Sequence, residues 1–211
     1  MPTSYKPIAI LLLLFFFAMP DFVSASTFGY TTQGGSAINI ASDPGTNTAT
    51  RQGTGATLSE NGSITMISAN LSSVTTSETL DLTVFINDRD SGGLNIHDEV
   101  MKAQRVSVGI TTTKTWYDFS PTPTELISDN YIISAVGDPN DLGGSGTVNM
   151  SYDITGSPYR LTENFTTTPY TSAQEDPWTD DDSGSIFFSI YATYTASGGG
   201  GGGTEGVMTF E

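Results

Sequence analysis

Apolar and polar side chains alternate along much of this chain. The alternation is clearest over residues 80–86 (LDLTVFI) and 148–154 (VNMSYDI), where every odd position of the segment is apolar or aromatic. A period of two places successive side chains on opposite faces of an extended chain, so both segments are predicted to be half-buried β-strands. Further strands are predicted where β-branched and aromatic residues are concentrated, over residues 64–71, 100–108, 116–119, 131–136 and 186–195.

Clusters of turn-forming residues separate these segments. After Ala25 no segment sustains the apolar spacing of an amphipathic helix. About nine or ten short strands without helices predict an all-β fold over residues 26–197, an antiparallel two-sheet β-sandwich of jelly-roll type. The turn clusters are Asp43-Pro44-Gly45, Glu60-Asn61-Gly62, Asp138-Pro139-Asn140, Gly143-Gly144 and Asp182-Ser183-Gly184.

The first residues have the pattern of a secretory signal peptide. Lys6 precedes an apolar run over residues 8–18. A helix needs about 20 apolar residues to span a bilayer, so this run is too short to do so. The small residues Val23 and Ala25 stand three and one positions before Ser26, where we expect cleavage. Residues 1–25 are therefore predicted to be a leader, and the mature protein to be secreted with no stable membrane span. The alternative is a leader retained as an N-terminal anchor.

The charge balance excludes several classes of protein. The chain has 23 acidic and 7 basic residues, a net charge of −16, one histidine and no cysteine. Without cysteine there is no disulfide framework and no thiolate metal site. An acidic surface repels phosphate backbones, so no nucleic acid partner is expected. The chain contains no G-x-S-x-G, P-loop or metalloprotease motif, and the single His97 lies in an acidic loop, so we expect a protein that is not an enzyme.

Three segments carry a resemblance to a known group of proteins. They are residues 28–36 (FGYTTQGGS), 116–120 (WYDFS) and 189–195 (SIYATYT). Together they resemble small secreted prokaryotic β-sandwich modules, which are similar in outline to carbohydrate-binding jelly rolls. The resemblance implies the sandwich fold over residues 28–195 and an extracellular setting, and it transfers no binding residue. The acidic loop at 87–99 and the glycine-rich tail depart from the pattern.

The acidic loop at 87–99 has the spacing of a calcium-binding loop. Counting Asp88 as position 1 puts Asp90 at position 3, Gly93 at position 6 and Glu99 at position 12. Calcium takes about six to eight oxygen ligands, and a glycine at position 6 allows the sharp turn around the ion. Position 5 is a glycine and no helices flank the loop, so a solvated turn is the alternative. A second candidate for Ca²⁺, spaced D-x-D-x-G, consists of Asp180 and Asp182.

Aromatic residues supply candidates for contact with an extracellular polysaccharide. Trp116 and Tyr117 are adjacent on one predicted strand, so their side chains point to opposite faces. Trp178 follows a proline in an acidic stretch and is expected to be exposed. Trp178 and Trp116 are therefore the candidate glycan contacts, the alternative being that these rings belong to the core.

The C-terminal tail is the most unusual part of the sequence. Residues 198–203 are six consecutive glycines, which predict a tether that reaches about 20 Å when extended. Residues 204–211 are predicted to form a short β-strand that pairs with its own domain or with the open sheet edge of a neighbour. The alternative is a tail without regular structure. Alternation within this assembly strand would point Val207 and Thr209 to one face and Met208 and Phe210 to the other.

These features give two hypotheses for function. The first is a secreted structural subunit that forms homopolymers, such as a surface fibre or filament, by exchange of the C-terminal strand. The alternative is a secreted carbohydrate-binding or adhesion module. Acceptor motifs for N-glycosylation, which matter only in a host that glycosylates them, begin at Asn61, Asn70, Asn149 and Asn164.

Overall fold

Fourteen β-strands make up nearly all of the regular structure in the computed structural model, which describes residues 25–43, 48–89, 96–154, 160–165, 179–180 and 186–197. The remainder is a single 3₁₀ turn over Pro139–Asp141. In chain order the strands are β1 (Ala25–Gly29), β2 (Ser36–Ser42), β3 (Thr48–Thr57), β4 (Gly62–Ser73), β5 (Glu78–Arg89), β6 (Ile96–Ile110), β7 (Thr115–Phe119), β8 (Thr124–Leu126), β9 (Asn130–Gly137), β10 (Thr147–Asp153), β11 (Arg160–Phe165), β12 (Thr179–Asp180), β13 (Phe187–Phe188) and β14 (Ile190–Ala196).

The described strands belong to one antiparallel hydrogen-bonded sheet, curled as a half-barrel. Its main path runs β1-β14-β4-β10-β2-β3-β9-β5-β6. β7 and β8 pair with β4, β11 pairs with β3 and β12, and β13 pairs with β10. The prediction of an all-β antiparallel fold is confirmed. The division into two separate sheets in jelly-roll order stays a prediction, because the ladders join the strands continuously. Fourteen described strands exceed the nine or ten expected, and three of them, β8, β12 and β13, are only two or three residues long and leave no periodicity in the sequence.

The curl arises because β3 and β4 change partners along their length. β3 pairs with β2 at Thr48 and Ala49 and then with β9 from Gln52 onward. β4 pairs with β14 over residues 62–69 and then with β10 over residues 71–73. Each change of partner turns the sheet back on itself. As a result β14 approaches β9, β1 approaches β3, and β7 approaches β6.

The core fills the space inside this curl. Along β5, the alternate residues Leu82, Val84 and Ile86 are fully buried in it, as the alternating pattern of residues 80–86 predicts. The hairpin expected between the strands at 80–86 and 100–108 is present as the β5–β6 pair. Burial also reaches the opposite face of β5, where Phe85 is fully buried in a second, smaller cluster.

Several sequence predictions fall beyond the described residues. β1 begins at Ala25, next to the predicted cleavage site, and the rest of the predicted leader lies outside the described part of the chain. The glycine tether and the assembly strand at 204–211 also lie outside it. Within the described part, no helix has the length and apolarity required to cross a membrane.

Candidate functional site

An open cleft lies where β1 approaches β3. Among the described residues β1 pairs with β14 alone, so its other edge has no partner strand. β3 has β9 on one edge and β11 on the other, and β11 reaches no further than Thr54. The edge of β3 is therefore unpaired over its last residues in the described structure. The cleft has a volume of about 310 Å³ and is lined by residues 27–30, 54–57 and Phe187. We call it the edge cleft.

Aromatic rings form the apolar part of the edge cleft. Tyr30 stacks on Phe187 with ring centroids 4.9 Å apart and an angle of 21° between the planes. Phe28 is buried and meets Tyr131 and Tyr194 edge to face, at centroid distances of 6.2 and 6.0 Å. The remaining lining residues are threonine, glycine and alanine, so the cleft combines aromatic surface with accessible backbone.

Two charged side chains hold the loop that follows β1. The Tyr30 hydroxyl donates to Asp153 Oδ2 at 2.8 Å, and the Gly35 N–H donates to Asp153 Oδ1 at 3.0 Å. The Lys114 ammonium donates to the carbonyl oxygens of Gly34, Gly35 and Ser36 at 2.8, 2.8 and 3.1 Å. The hydrogen bonds from the Gly35 N–H and the Tyr30 hydroxyl stabilise the charged carboxylate of Asp153. The pKa of Asp153 therefore lies below its usual value, mainly because of the Gly35 N–H and then because of the Tyr30 hydroxyl. The loop is thereby fixed beside the mouth of the edge cleft.

A second group of side chains lies on the outer face of β4, away from the core. Trp116 and Tyr191 are half-buried and meet edge to face, with ring centroids 5.1 Å apart and an interplanar angle of 67°. The Ser68 hydroxyl donates to Asp118 Oδ1 at 2.7 Å. Asn70 lies directly across the ladder from Trp116. We call these five residues the outer-face patch.

The structure places Trp116 as the sequence predicts, on the face opposite Tyr117. Tyr117 packs against the core, whereas Trp116 lies in the outer-face patch. Its neighbour Tyr191 was not predicted to be a glycan contact. The two rings meet because β7 and β14 pair with opposite edges of β4, and the sequence does not show this, since residues 116 and 191 are far apart along the chain. The other candidate glycan contact, Trp178, lies outside the described residues.

The structure describes two carboxylates of the first calcium candidate. Asp88 pairs with Tyr131 of β9, and Glu99 pairs with Asn87 of β5, where the β5–β6 ladder shifts register on both sides of Asn87. Glu99 Oε1 lies 3.6 Å from Lys102 Nζ. Calcium binding by Asp88 and Glu99 stays a prediction.

The other calcium candidates lie where the side chains are not described. Asp90 and Asp182 are outside the described residues, and Asp180 belongs to β12, of which only the backbone is described. Within the described part, no group of three or more His, Cys, Asp or Glu side chains could hold a metal ion. Calcium binding by Asp90, Asp180 and Asp182 likewise stays a prediction.

The four glycosylation candidates differ in access. Asn61 is exposed between β3 and β4, where its Oδ1 accepts a hydrogen bond from the Ser128 N–H at 2.8 Å. Asn70 is fully buried in β4. Asn149 is half-buried in β10, and Asn164 belongs to β11, whose side chains are not described. Glycosylation of these four residues stays a prediction.

No protein-family model matches the chain, and no curated protein is significantly similar to it in sequence. The resemblance to secreted carbohydrate-binding modules therefore stays a prediction.

Proposed function

We propose that this protein is a secreted structural subunit that polymerises by strand exchange. In this proposal residues 204–211 of one subunit enter the edge cleft of the next and pair with the edge of β1 that faces the cleft. The observation that supports the proposal is the cleft itself, where β1 and the end of β3 lie close together and, among the described strands, have no partner on the edges that face it. Unpaired edges are templates for an added strand, because their N–H and C=O groups lack partners.

The sequence of the tail suits the lining of the edge cleft. Main-chain hydrogen bonds to β1 would supply affinity without regard to sequence. The alternation of residues 207–210 predicts that Met208 and Phe210 share one face of the added strand. That face would pack against Tyr30 and Phe187, whose rings line the cleft. Thioether and aromatic contacts of this kind add to area burial.

Both the neighbour's cleft and the subunit's own cleft are within reach of the tail. β14 ends at Ala196, next to the start of β1, because Thr195 pairs with Ala25. The far edge of β1 is about 10 Å from β14, two strand spacings away. Six glycines extend to about 20 Å, so the tether could cross β1 or leave the subunit. An experiment must therefore distinguish exchange between subunits from pairing within one subunit.

Because the chain has no cysteine, an engineered pair can report this difference. We would introduce Thr27→Cys in the cleft lining of one subunit and Met208→Cys in the tail of another, mix the two single variants and oxidise them. Strand exchange predicts disulfide-linked heterodimers on a non-reducing gel. In a double variant, exchange predicts a ladder of covalent oligomers, whereas pairing within one subunit predicts a cross-linked monomer.

Matched controls make the result decisive. Thr79 is an exposed threonine of β5 and does not line the cleft, so Thr79→Cys should not cross-link to Met208→Cys. Deletion of residues 198–211 should leave a folded subunit that forms no filaments in electron micrographs. Filaments that persist after this deletion, or cross-links confined to monomers, would overturn the proposal.

The proposal also includes a finer view of the fold. We take the curled sheet as two facing layers, one containing β1, β14, β4 and β7 and the other containing β3, β9, β5 and β6. The approach of β1 to β3, of β14 to β9 and of β7 to β6 supports this view. In this two-layer view, the edge cleft is one open side of a sandwich. The opposite side is bridged by Arg105, which donates to the backbone carbonyl of Asp118 at 2.8 Å.

A further inference from the structure

We propose that the outer-face patch binds a neutral sugar ring, with Trp116 and Tyr191 contacting its apolar face and Asp118 accepting hydrogen bonds from its hydroxyls. This activity is independent of strand exchange, because the patch lies on the outer face of β4 and shares no residue with the edge cleft. A filament subunit with such a site would also adhere to polysaccharide.

The ladder of β4 with its two neighbours sets the geometry of the patch. Ser68 of β4 pairs with Asp118 of β7 on one side and with Tyr191 of β14 on the other. Paired residues share a face, so these three side chains form a row across the outer face. One step along β4, Asn70 pairs with Trp116 in a second row. The two rings therefore start from diagonal positions across β4 and meet edge to face on the side of β4 to which Ser68 and Asn70 belong.

This combination is chemically suited to a carbohydrate. The C–H face of a pyranose is apolar and packs on an aromatic ring, while its edge carries hydroxyl donors. Asp118 is exposed, and an ionised carboxylate has about four lone-pair sites, of which the hydrogen bond with Ser68 uses one. Hydrogen bonds to an ionised acceptor are stronger than those between neutral groups. Asp118 can therefore orient a sugar that the rings hold.

The floor of the patch contains an unsatisfied donor. Asn70 is fully buried, and its Oδ1 accepts from the Ser151 hydroxyl at 2.7 Å. Its Nδ2 has no hydrogen-bond partner among the described residues. A buried donor without an acceptor is costly, so a ligand oxygen that hydrogen-bonded to this Nδ2 would recover that cost. This donor is a second observation that points to a ligand.

Net charge decides between classes of sugar. The chain carries a charge of −16, and Asp118 adds a carboxylate to the patch itself. Uronic acids and sulfated sugars would be repelled, whereas neutral sugars would not. We therefore expect binding of neutral oligosaccharides and no binding of dextran sulfate.

Tryptophan fluorescence gives a direct test, because the chain has two tryptophans. In the mature full-length protein, Trp178→Phe leaves Trp116 as the only tryptophan. Titration of this variant with cellohexaose, mannohexaose and N-acetylchitohexaose should shift the emission with at least one of them. Trp116→Ala and Tyr191→Ala should each weaken binding of that sugar at least tenfold, and Asp118→Asn several-fold, as measured by calorimetry. Trp116→Phe should retain part of the affinity.

Val106→Ala serves as the control, because Val106 is 71% exposed on β6 and belongs neither to the outer-face patch nor to the candidate glycan contacts, and it should leave the affinity unchanged. Thermal unfolding of each variant shows whether a loss of binding follows from a loss of folding. The proposal is overturned if no neutral oligosaccharide binds, or if Trp178→Ala abolishes binding while Trp116→Ala does not. Filament formation does not enter any of these measurements, so failure of the strand-exchange proposal would leave the result interpretable.

Discussion

The guanidinium of Arg51 shows why individual residues of this chain are difficult to assign from sequence. It is fully buried, donates from Nε to the Ser134 hydroxyl at 3.0 Å, and also bonds to Asn87. Its central carbon lies 4.1 Å from the centroid of the Phe85 ring. Arginine is rarely buried without such partners, and its partners here come from β9 and β5. A pattern of apolar residues contains no signal for a polar cluster of this kind.

Gly29 is the residue at which the fold depends most directly on the absence of a side chain. Its φ is +106°, and a Cβ there would lie 2.7 Å from the carbonyl oxygen of Ile190. Gly29→Ala should therefore destabilise the protein by about 3 kcal/mol, measured by urea unfolding. Gly109→Ala is the matched change, because a Cβ at Gly109 would meet nothing within 4 Å. It should be neutral or stabilise by about 0.5 kcal/mol, and equal effects of the two changes would contradict this explanation.

Asp153 gives the protein a defined dependence on pH. Its pKa is lowered in the folded state, so its contribution to stability is present above its unfolded pKa and is lost as the pH falls through the folded value. We expect the difference in unfolding free energy between the wild type and Asp153→Asn to be constant above about pH 5 and to vanish in stronger acid. Denaturant unfolding at a series of pH values measures it. A difference that does not vary with pH would show that the charge of Asp153 is unimportant.

Tyr131 acts at the opposite end of the pH range. Its pKa is raised, first by burial and then by the nearby charges of Asp88 and Asp129. A group with a raised folded pKa contributes stability that is lost at high pH, so Tyr131→Phe should reduce the loss of stability above about pH 10. Unfolding curves in alkali compare the two proteins. An unchanged alkaline limit would show that other groups set it.

At the scale of elements, alternation predicts a strand only where one face is polar and the other apolar. β5 and β10 satisfy this condition and were predicted from their pattern. β3 does not, because its buried residues Arg51, Gln52 and Thr54 are polar, and no strand was predicted there. The change of partner within β3 and β4 also cannot be predicted from the sequence, because it depends on contacts between segments that are far apart along the chain. The edge cleft follows from that change, so it could not be found from sequence.

The loop between β1 and β2 provides a test of how one side chain holds an element. Lys114 donates to three carbonyl oxygens of this loop, and charged hydrogen bonds are worth about 1.5–3 kcal/mol. Lys114→Met should therefore speed amide hydrogen exchange at Gly34 and Gly35 at least tenfold. Lys102→Met is the control, because Lys102 is half exposed and its ion pair with Glu99 spans 3.6 Å. Equal exchange in the two variants would exclude the role given to Lys114.

At the scale of the whole molecule, charge opposes assembly. Subunits of charge −16 repel each other, and salt screens this repulsion: the Debye length falls from about 30 Å at 0.01 M to about 8 Å at 0.15 M. Because strand exchange relies on main-chain hydrogen bonds and apolar contacts, added salt should accelerate polymerisation several-fold, as followed by light scattering. The protein lacking residues 198–211 should show no such increase. Slower assembly in salt would indicate an interface held by attraction between opposite charges.

The bonds made by Lys114 have a practical outcome for labelling. An amine-reactive dye needs an accessible amine, and Lys114 Nζ donates to three carbonyl oxygens. The chain has one other lysine after the predicted leader, Lys102, whose side chain is 50% exposed on β6. Among the side chains, conjugation should therefore favour Lys102 over Lys114, alongside the α-amino group, and would put this fluorophore on a strand that contributes no residue to the lining of the edge cleft. Such a reagent would allow single subunits to be counted as they join a growing fibre.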